Sequence, residues 1–401
     1  MMAHDRADMV IIGAGIAGLA LAWELHKRAP WRIIVLERRF SGYGSSMRNI
    51  GRVRAMQLTP ELTRIAIAAQ AKHARLSWEL GRSTLFWRAG YALVLYDEDE
   101  LELARGVRKM LYDLRLDVDL VEGRRTVERL PVLEGGATPV GALIRSDALV
   151  HHDAVMFAYR RACLAAGIVI REGVEATAIL RAGGAAVGVA AGTNEISTAL
   201  VVNAAGAWSG ALSAKAGLTV PNMPLRREAL VTEPSRPFMR TMVSFYRPVE
   251  GWFHQTLRGE VVMGVAPPNE PFGTELAASA KSLGRTARGI LAKAPRLGGL
   301  RVVRQWAGLY DVTPDRKPLV GPVASLPGFV QLNGCNGRGF ALFPVLAELL
   351  AQWLDEGRRP ELLAPFDPNR FVGREGADMA MGDYYAGYRK CAGGSGITIA
   401  R

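Results

Sequence analysis

Met9-Val10-Ile11-Ile12-Gly13-Ala14-Gly15-Ile16-Ala17-Gly18 opens the chain's first readable unit, and Glu37 closes it. The four apolar residues read as a buried parallel strand. Leu19 to Arg28 has helical character and Pro30 stops it. Trp31 to Leu36 is a second apolar strand, with Glu37 and Arg38 at its end. Each glycine has a separate task. Gly13 permits a tight turn, Gly15 lets the backbone approach a pyrophosphate, and Gly18 lets the helix lie close on the strand. The helix N-terminus at Ile16 and Ala17 offers free N–H groups to phosphates. Glu37 stands 19 residues beyond Gly18, where a carboxylate can accept hydrogen bonds from ribose hydroxyls. A glycine pattern alone is weak, but strand, glycine turn, helix, strand and acid together point to a dinucleotide.

The motif does not itself separate NAD from FAD. Its place at the extreme N-terminus favours FAD, as do companion segments far downstream, which an extended dinucleotide requires. The stretch from Met9 to Leu25 carries one charge, Glu24, and so imitates a signal peptide or a membrane span. Three glycines interrupt it, and it falls short of the ~20 residues a span needs. A buried strand followed by a buried helix explains it better.

A chain of 401 residues suits two closely packed domains. Apolar residues at 49% and charged residues at 22% suit a soluble globular enzyme. The net charge of +12 is spread along the chain with no run of five or six basic residues. Nucleic-acid binding is not expected, because no basic stripe with interleaved aromatics appears. An Arg-rich surface is the favoured explanation, and attraction to an acidic membrane face or partner is the other. Cys163, Cys335 and Cys391 are odd in number and widely spaced. They form no metal or disulfide pattern, which suits the reducing cytoplasm. The second reading of the charge sets the protein against the inner membrane face.

Four further stretches accompany the first. One is Gly44-Ser45-Ser46-Met47-Arg48-Asn49-Ile50-Gly51-Arg52-Val53-Arg54, with Leu58-Thr59-Pro60-Glu61 after it. Another is His152-Asp153-Ala154-Val155, leading to Glu172-Gly173-Val174-Glu175-Ala176-Thr177 and to Val201-Val202-Asn203-Ala204-Ala205-Gly206-Ala207-Trp208-Ser209. A third pairs Gly251-Trp252-Phe253-His254-Gln255 with Gly259-Glu260-Val261-Val262-Met263-Gly264, an alternation expected of an antiparallel hairpin. The last runs from Arg304-Gln305-Trp306-Ala307-Gly308-Leu309-Tyr310-Asp311 to Asn333-Gly334-Cys335-Asn336-Gly337-Arg338-Gly339-Phe340, a glycine loop feeding a helix. With these the chain resembles the D-amino acid oxidase-like FAD-dependent oxidoreductases from about Asp8 to about Phe371. Within them it is nearest the branch of sarcosine oxidase β-chains, dye-linked proline dehydrogenases and glycine oxidases.

The resemblance implies α/β plus α+β architecture: a Rossmann-like FAD-binding domain and an antiparallel-sheet substrate domain. It places the cofactor domain at 1–80, 141–222 and 300–372, the substrate domain at 81–140 and 223–299, and a C-terminal tail at 373–401. It implies that Gly44, Ser45 and Ser46 meet the cofactor, and that backbone near Ala176 meets the adenine. The small residues Ala205 and Gly206 let their turn come close to the dinucleotide. It implies that the loop Gly334, Asn336, Gly337, Arg338, Gly339 and Phe340 closes over the flavin pyrimidine edge. Arg54 falls where a substrate carboxylate is held, with His254 or Tyr310 assisting. His254 serves equally as a sheet histidine.

Departures from the family pattern carry their own expectations. Gly308 stands where relatives with covalent FAD have Cys, so FAD is expected to be noncovalent. Arg338 stands where relatives often have His and keeps a fixed charge. Val262 and Ala341 stand where monomeric sarcosine oxidase has lysines, one aiding the reaction with O₂ and one binding carboxylate. The expected activity is FAD-dependent dehydrogenation of a small amine or amino acid of proline, hydroxyproline, sarcosine or glycine type, by hydride transfer to flavin N5. Electrons then pass to a dye, a quinone or a protein. The alternatives are an O₂-using amino-acid oxidase and a flavin-carrying subunit of a larger complex, so homo- and hetero-oligomers both stay open. The His152-Asp153 pair raises a second flavin, FMN, at His152, against Asp153 serving as a plain helix cap. The acidic run 97–100 reads as a solvated helix start.

Overall fold

The computed structural model describes residues 5–267 and 270–374. Most of the expected tail at 373–401 lies outside the described residues. The opening stretch folds as its pattern requires. Met9–Ile12 is a strand, Ile16–His26 a helix and Ile33–Glu37 a second strand parallel to the first. These strands lie inside a six-stranded sheet ordered Val169–Glu172, Ile33–Glu37, Met9–Ile12, Leu200–Asn203, Phe329–Asn333, Leu319–Pro322. The first five run parallel, and the last is antiparallel to its neighbour.

Strand alternation splits the core. Met9 and Ile11 face the helices Ile16–His26, Pro60–Glu79, His152–Ala165 and Gly339–Glu356, while Val10 and Ile12 face a small sheet containing Ala176–Ala182, Ala185–Ala191 and Asn194–Ser197. Burying each such side chain contributes roughly 1.5–3 kcal/mol. Where three helices meet, the fully buried Lys72 Nζ donates to Glu24 at 2.8 Å and Glu79 at 2.6 Å, with Glu348 3.5 Å away. Removing one member strands a buried charge, at a cost of roughly 3–5 kcal/mol.

The second layer is an eight-stranded sheet ordered Val302–Val312, Met223–Pro234, Glu260–Val265, Gly251–Gln255, Met242–Phe245, Tyr91–Leu95, Gly141–Arg145, Asp119–Glu122. The expected hairpin is present, with His254 opposite Val262. Gly141–Arg145 and Val302–Val312 lie on the cofactor side of the boundaries expected at 141 and 300, yet they pair within this second sheet.

Two local expectations are corrected. Asp97 caps the helix Glu98–Asp113 by accepting from Glu100 N–H at 2.8 Å. Glu100 is nevertheless buried, and burial pushes its carboxyl up to about 7, so this helix start is not simply solvated. The helix His152–Ala165 has His151 as its N-cap residue. Asp153 sits in the first turn with its carboxylate 3.3 Å from His152 Nε2, so it is not the cap.

Candidate functional site

The carboxyl ends of the parallel strands face the eight-stranded sheet across a cavity of about 490 Å³. Open α/β sheets bind ligands at this end because the loops there converge and helix N-termini point into the gap. The first glycine turn forms one wall. Gly13 has φ +111°, and a Cβ on it would lie 2.5 Å from the Ala204 carbonyl oxygen. A Cβ on Gly18 would lie 1.9 Å from the Gly13 oxygen, so Gly18 sets helix-to-strand distance and does not line the cavity. Gly15, Ile16 and Ala17 do line it. Ser46 Oγ accepts from Ile16 N–H at 2.9 Å, which joins the second motif to the first helix.

Glu37 and Arg38 also line the cavity. Burial pushes the Glu37 carboxyl up, against hydrogen bonds from Arg39 N–H at 2.9 Å and Ala14 N–H at 3.1 Å. Arg38 lies 4.2 Å over the Trp208 ring. Val174, Ala176, Ala205 and Gly206 line the same end of the cavity beside Glu37. Trp208 is a site residue that sequence reasoning missed; its place in the same short turn as Gly206 was the available signal.

At the other end stands the last glycine loop. Asn336, Gly337, Arg338, Gly339 and Phe340 line the cavity; Gly334 does not. Gly334 N–H donates to Asp311 Oδ2 at 2.7 Å. Asn336 has φ +54°, and its side chain accepts from Thr313 N–H at 3.0 Å. Burial pushes the Asp311 carboxyl up to about 6. Gly337 is closed in by Tyr310, whose ring carbon would lie 2.3 Å from a Cβ there. The helix Gly339–Glu356 begins at this loop, so its positive end faces the cavity. Arg338 donates to the Arg316 carbonyl, which fixes its side chain across the loop.

Gly44 and Ser45 lie between these ends. A Cβ on Gly44 would lie 3.2 Å from the Trp208 ring, and Ser45 Oγ donates to the Leu309 carbonyl. Gly308 lines the cavity against Arg48, with no thiol at that position. The residues present therefore fit an extended dinucleotide with a tricyclic head. Glu37 would hold the ribose, the Gly13–Gly18 turn the pyrophosphate, and the Gly337–Phe340 helix start the head group.

Arg54, Tyr310, Tyr91 and Trp252 enclose the remaining space. Arg54 Nη1 donates to Tyr91 Oη at 2.7 Å, with the guanidinium 4.7 Å over the Tyr91 ring. His254 does not line the cavity. Its Nδ1 accepts from Arg52 Nε at 3.3 Å, and burial followed by the Arg52 charge holds it well below its ordinary pKa, hence neutral. It acts as a sheet histidine behind Arg52. Arg52 also donates to Ser244 Oγ at 2.9 Å and the Phe253 carbonyl at 2.8 Å, and burial holds it down to about 9. Val262 pairs with His254 and does not line the cavity either, whereas Ala341 does. Arg227 and Glu250 also line this end and were missed. The alternation of Arg226-Arg227-Glu228 along one strand was the one signal available for Arg227.

His73 lies behind the glycine loop, with Nε2 3.1 Å from the Ala341 carbonyl oxygen. Burial, the largest effect, holds it down to about 4. Between pH 6.5 and 4 the unfolded chain therefore takes up a proton that the folded chain refuses. Stability is full above about pH 6.5 and falls by about 3 kcal/mol toward pH 4. Asp311 and Glu100 act oppositely, since the folded state keeps their protons. The difference between wild type and His73→Gln isolates the histidine: as pH falls from about 6.5 to about 4.5 the variant's Tm should rise relative to the wild type's. Parallel curves would remove His73 from the acid limb.

Residues 8–353 match the family described as DAO, FAD dependent oxidoreductase. The chain is 28% identical over 375 residues to sarcosine oxidase subunit beta of Rhodobacter capsulatus, covering 91% of this chain and 89% of that one. It is 29% identical over 371 residues to glycine oxidase of Pseudomonas aeruginosa, covering 90% and 98%. The L-proline dehydrogenase structure from P. horikoshii superposes with TM-score 0.85 at 25% identity, covering 92% of this chain and 98% of that one. Among the described residues, no group of three or more His, Cys, Asp and Glu is placed to hold a metal, and no helix is long and apolar enough to cross a membrane.

Proposed function

Because the chain belongs to the DAO family of FAD-dependent oxidoreductases, we propose that it dehydrogenates a small secondary amine or amino acid and passes the electrons to an acceptor other than O₂. The observation that carries this reading is a guanidinium, Arg54, enclosed with Tyr91, Tyr310 and Trp252 at the end of the cavity where the Gly337–Phe340 loop closes. FAD, when bound, supplies the two-electron acceptor for a C–H bond beside nitrogen. The chain's residues supply position and surroundings. Arg54 grips a carboxylate, the Tyr310 and Trp252 rings exclude water, and Glu250 faces the amine. Positioning of this kind accounts for much of the rate. Relatives named for sarcosine, glycine and L-proline bracket the substrate class, and the L-proline dehydrogenase likeness supports a non-O₂ acceptor.

The test is anaerobic bleaching of the yellow protein by a panel of N-alkyl and cyclic amino acids, followed by turnover with an artificial dye and with air. Bleaching and a faster dye-linked rate are expected. A flavin untouched by every amine overturns the enzyme reading, and a peroxide-forming rate matching the dye rate turns it into an oxidase.

FAD is held noncovalently in this reading, since Gly308 offers no thiol, and the intact mass should show no FAD adduct. A second reading adds FMN at His152. That imidazole is 27% exposed, stacks on His151 at 5.3 Å, and feels the charges of Arg304 and Arg258. These are surroundings for a phosphate at an interface with a second, different subunit. The protein co-produced with such a partner should then carry one FMN mass. A bare polypeptide mass would leave His152 as a first-turn helix residue.

A further inference from the structure

We propose that the amine oxidised here carries two carboxylates, one gripped by Arg54 and the second by Arg227. This rests on the amine-oxidising reading above and narrows it. Arg226 and Glu228, on either side of Arg227, are held in ion pairs with Glu270 at 2.5 Å and Arg285 at 2.9 Å. Strand alternation turns Arg227 the other way, into the cavity. There its guanidinium lies 5.4 Å from the Tyr310 ring centroid. Its Nη1 donates to the Arg226 carbonyl at 3.2 Å, and its buried Nε has no hydrogen-bond partner among the described residues. With Nη1 held by the Arg226 carbonyl and Nε buried against protein, the guanidinium presents its outer edge to the cavity Arg227 lines, where a ligand carboxylate is the group that matches a guanidinium best.

Arg54, Arg227 and Glu250 line the cavity together around Tyr310. Two guanidinium groups at one end of a cavity match a substrate with two carboxylates one to one. Arg52 cannot be the second grip. Its Nε, Nη1 and Nη2 already donate to His254, Ser244 and the Val243 and Phe253 carbonyls, so it contributes field only. Arg54 and Arg227 hang from different walls. Arg54 follows the short strand Arg52–Val53, while Arg227 belongs to Met223–Pro234, paired opposite Gly308.

The experiment uses the FAD-loaded protein and two readouts. In the first, Trp252 and Trp306, which line the cavity, report binding of non-oxidisable probes by fluorescence: acetate against malonate, succinate and glutarate. One of the dicarboxylates should bind about 10- to 100-fold tighter than acetate, the gain expected of one added charge-assisted contact. Arg227→Gln should erase that difference. Dicarboxylates no tighter than acetate overturn the proposal. Equal weakening of acetate and dicarboxylates by Arg227→Gln also overturns it, since both arginines would then hold one carboxylate. In the second readout, flavin reduction by N-methylglycine is compared with N-methylaspartate and iminodiacetate. Reduction by the neutral-side-chain amine alone overturns the dicarboxylate proposal and leaves the enzyme reading intact. A dicarboxylate preference in binding, with no amine reducing the flavin, overturns the enzyme reading and leaves the two-anion site.

Discussion

Arg54→Ala is expected to lower kcat/KM for a carboxylated amine by about 30- to 1000-fold, or about 2–4 kcal/mol of transition-state binding. A bidentate guanidinium–carboxylate contact does two things at once. It holds the substrate and fixes which C–H bond faces the acceptor. Tyr91 steadies Arg54 through the 2.7 Å hydrogen bond and the ring beneath it, so the guanidinium is set before substrate arrives. Arg54→Lys keeps the charge without the fork and should recover only part of the loss. FAD content should stay at the wild-type level, because Arg54 lies away from the glycine turn and the ribose carboxylate. Dye-linked kinetics and the flavin-to-protein absorbance ratio measure both. Unchanged kcat/KM, or an equal fall in FAD content, would remove Arg54 from substrate binding.

Gly18→Val should be worse for the protein as a whole. Its first added carbon would lie 1.9 Å from the Gly13 oxygen and 3.1 Å from the Ile11 side chain. Backbone cannot yield as a side-chain tip can, so the Ile16–His26 helix must move off the sheet. The expected cost exceeds about 3 kcal/mol, the upper end of ordinary overpacking. FAD affinity should fall by at least about tenfold, since the displaced helix start carries the N–H groups meant for the pyrophosphate. Gly106→Ala is the matched control. It also lies inside a helix, but open space surrounds it, and it should gain about 0.5–1 kcal/mol. Thermal melts and FAD titration of both variants decide. A Gly18→Val protein that melts and binds FAD as wild type would show that the turn tolerates a wider helix spacing.

The parts of the fold carried by local pattern were legible in the chain alone. The strand–turn–helix at Met9–His26, the hairpin at Gly251–Val265 and the long helix after Phe340 each obey one period over a short stretch. The adenosine end was legible for the same reason, since Gly13, Gly15 and Glu37 belong to one contiguous motif. The substrate end was not. Arg227 and Tyr91 reach it from two strands, and Glu250 from the loop before a third, Gly251–Gln255; their meeting depends on tertiary register, and none belongs to a motif. His254 was ambiguous because a sheet histidine and a pocket histidine have the same alternation. Only the side on which Arg52 packs decides it. Asp153 misled because its neighbour His151 supplies the cap position through backbone geometry alone.

The order of strands in the parallel sheet also governs how the chain can be made. Met9–Ile12 acquires Ile33–Glu37 within 30 residues, but its other neighbour is Leu200–Asn203, and that strand in turn waits for Phe329–Asn333. At roughly 5–20 residues per second of synthesis, the first strand spends on the order of ten seconds or more with one bare apolar edge. An open edge invites pairing with another chain. Nascent protein should therefore lean on chaperones until residue 203 has emerged. The helix start at Gly339, which closes the far end of the cavity, emerges well after the glycine turn at Gly13, so the cavity itself is complete only once that segment is out.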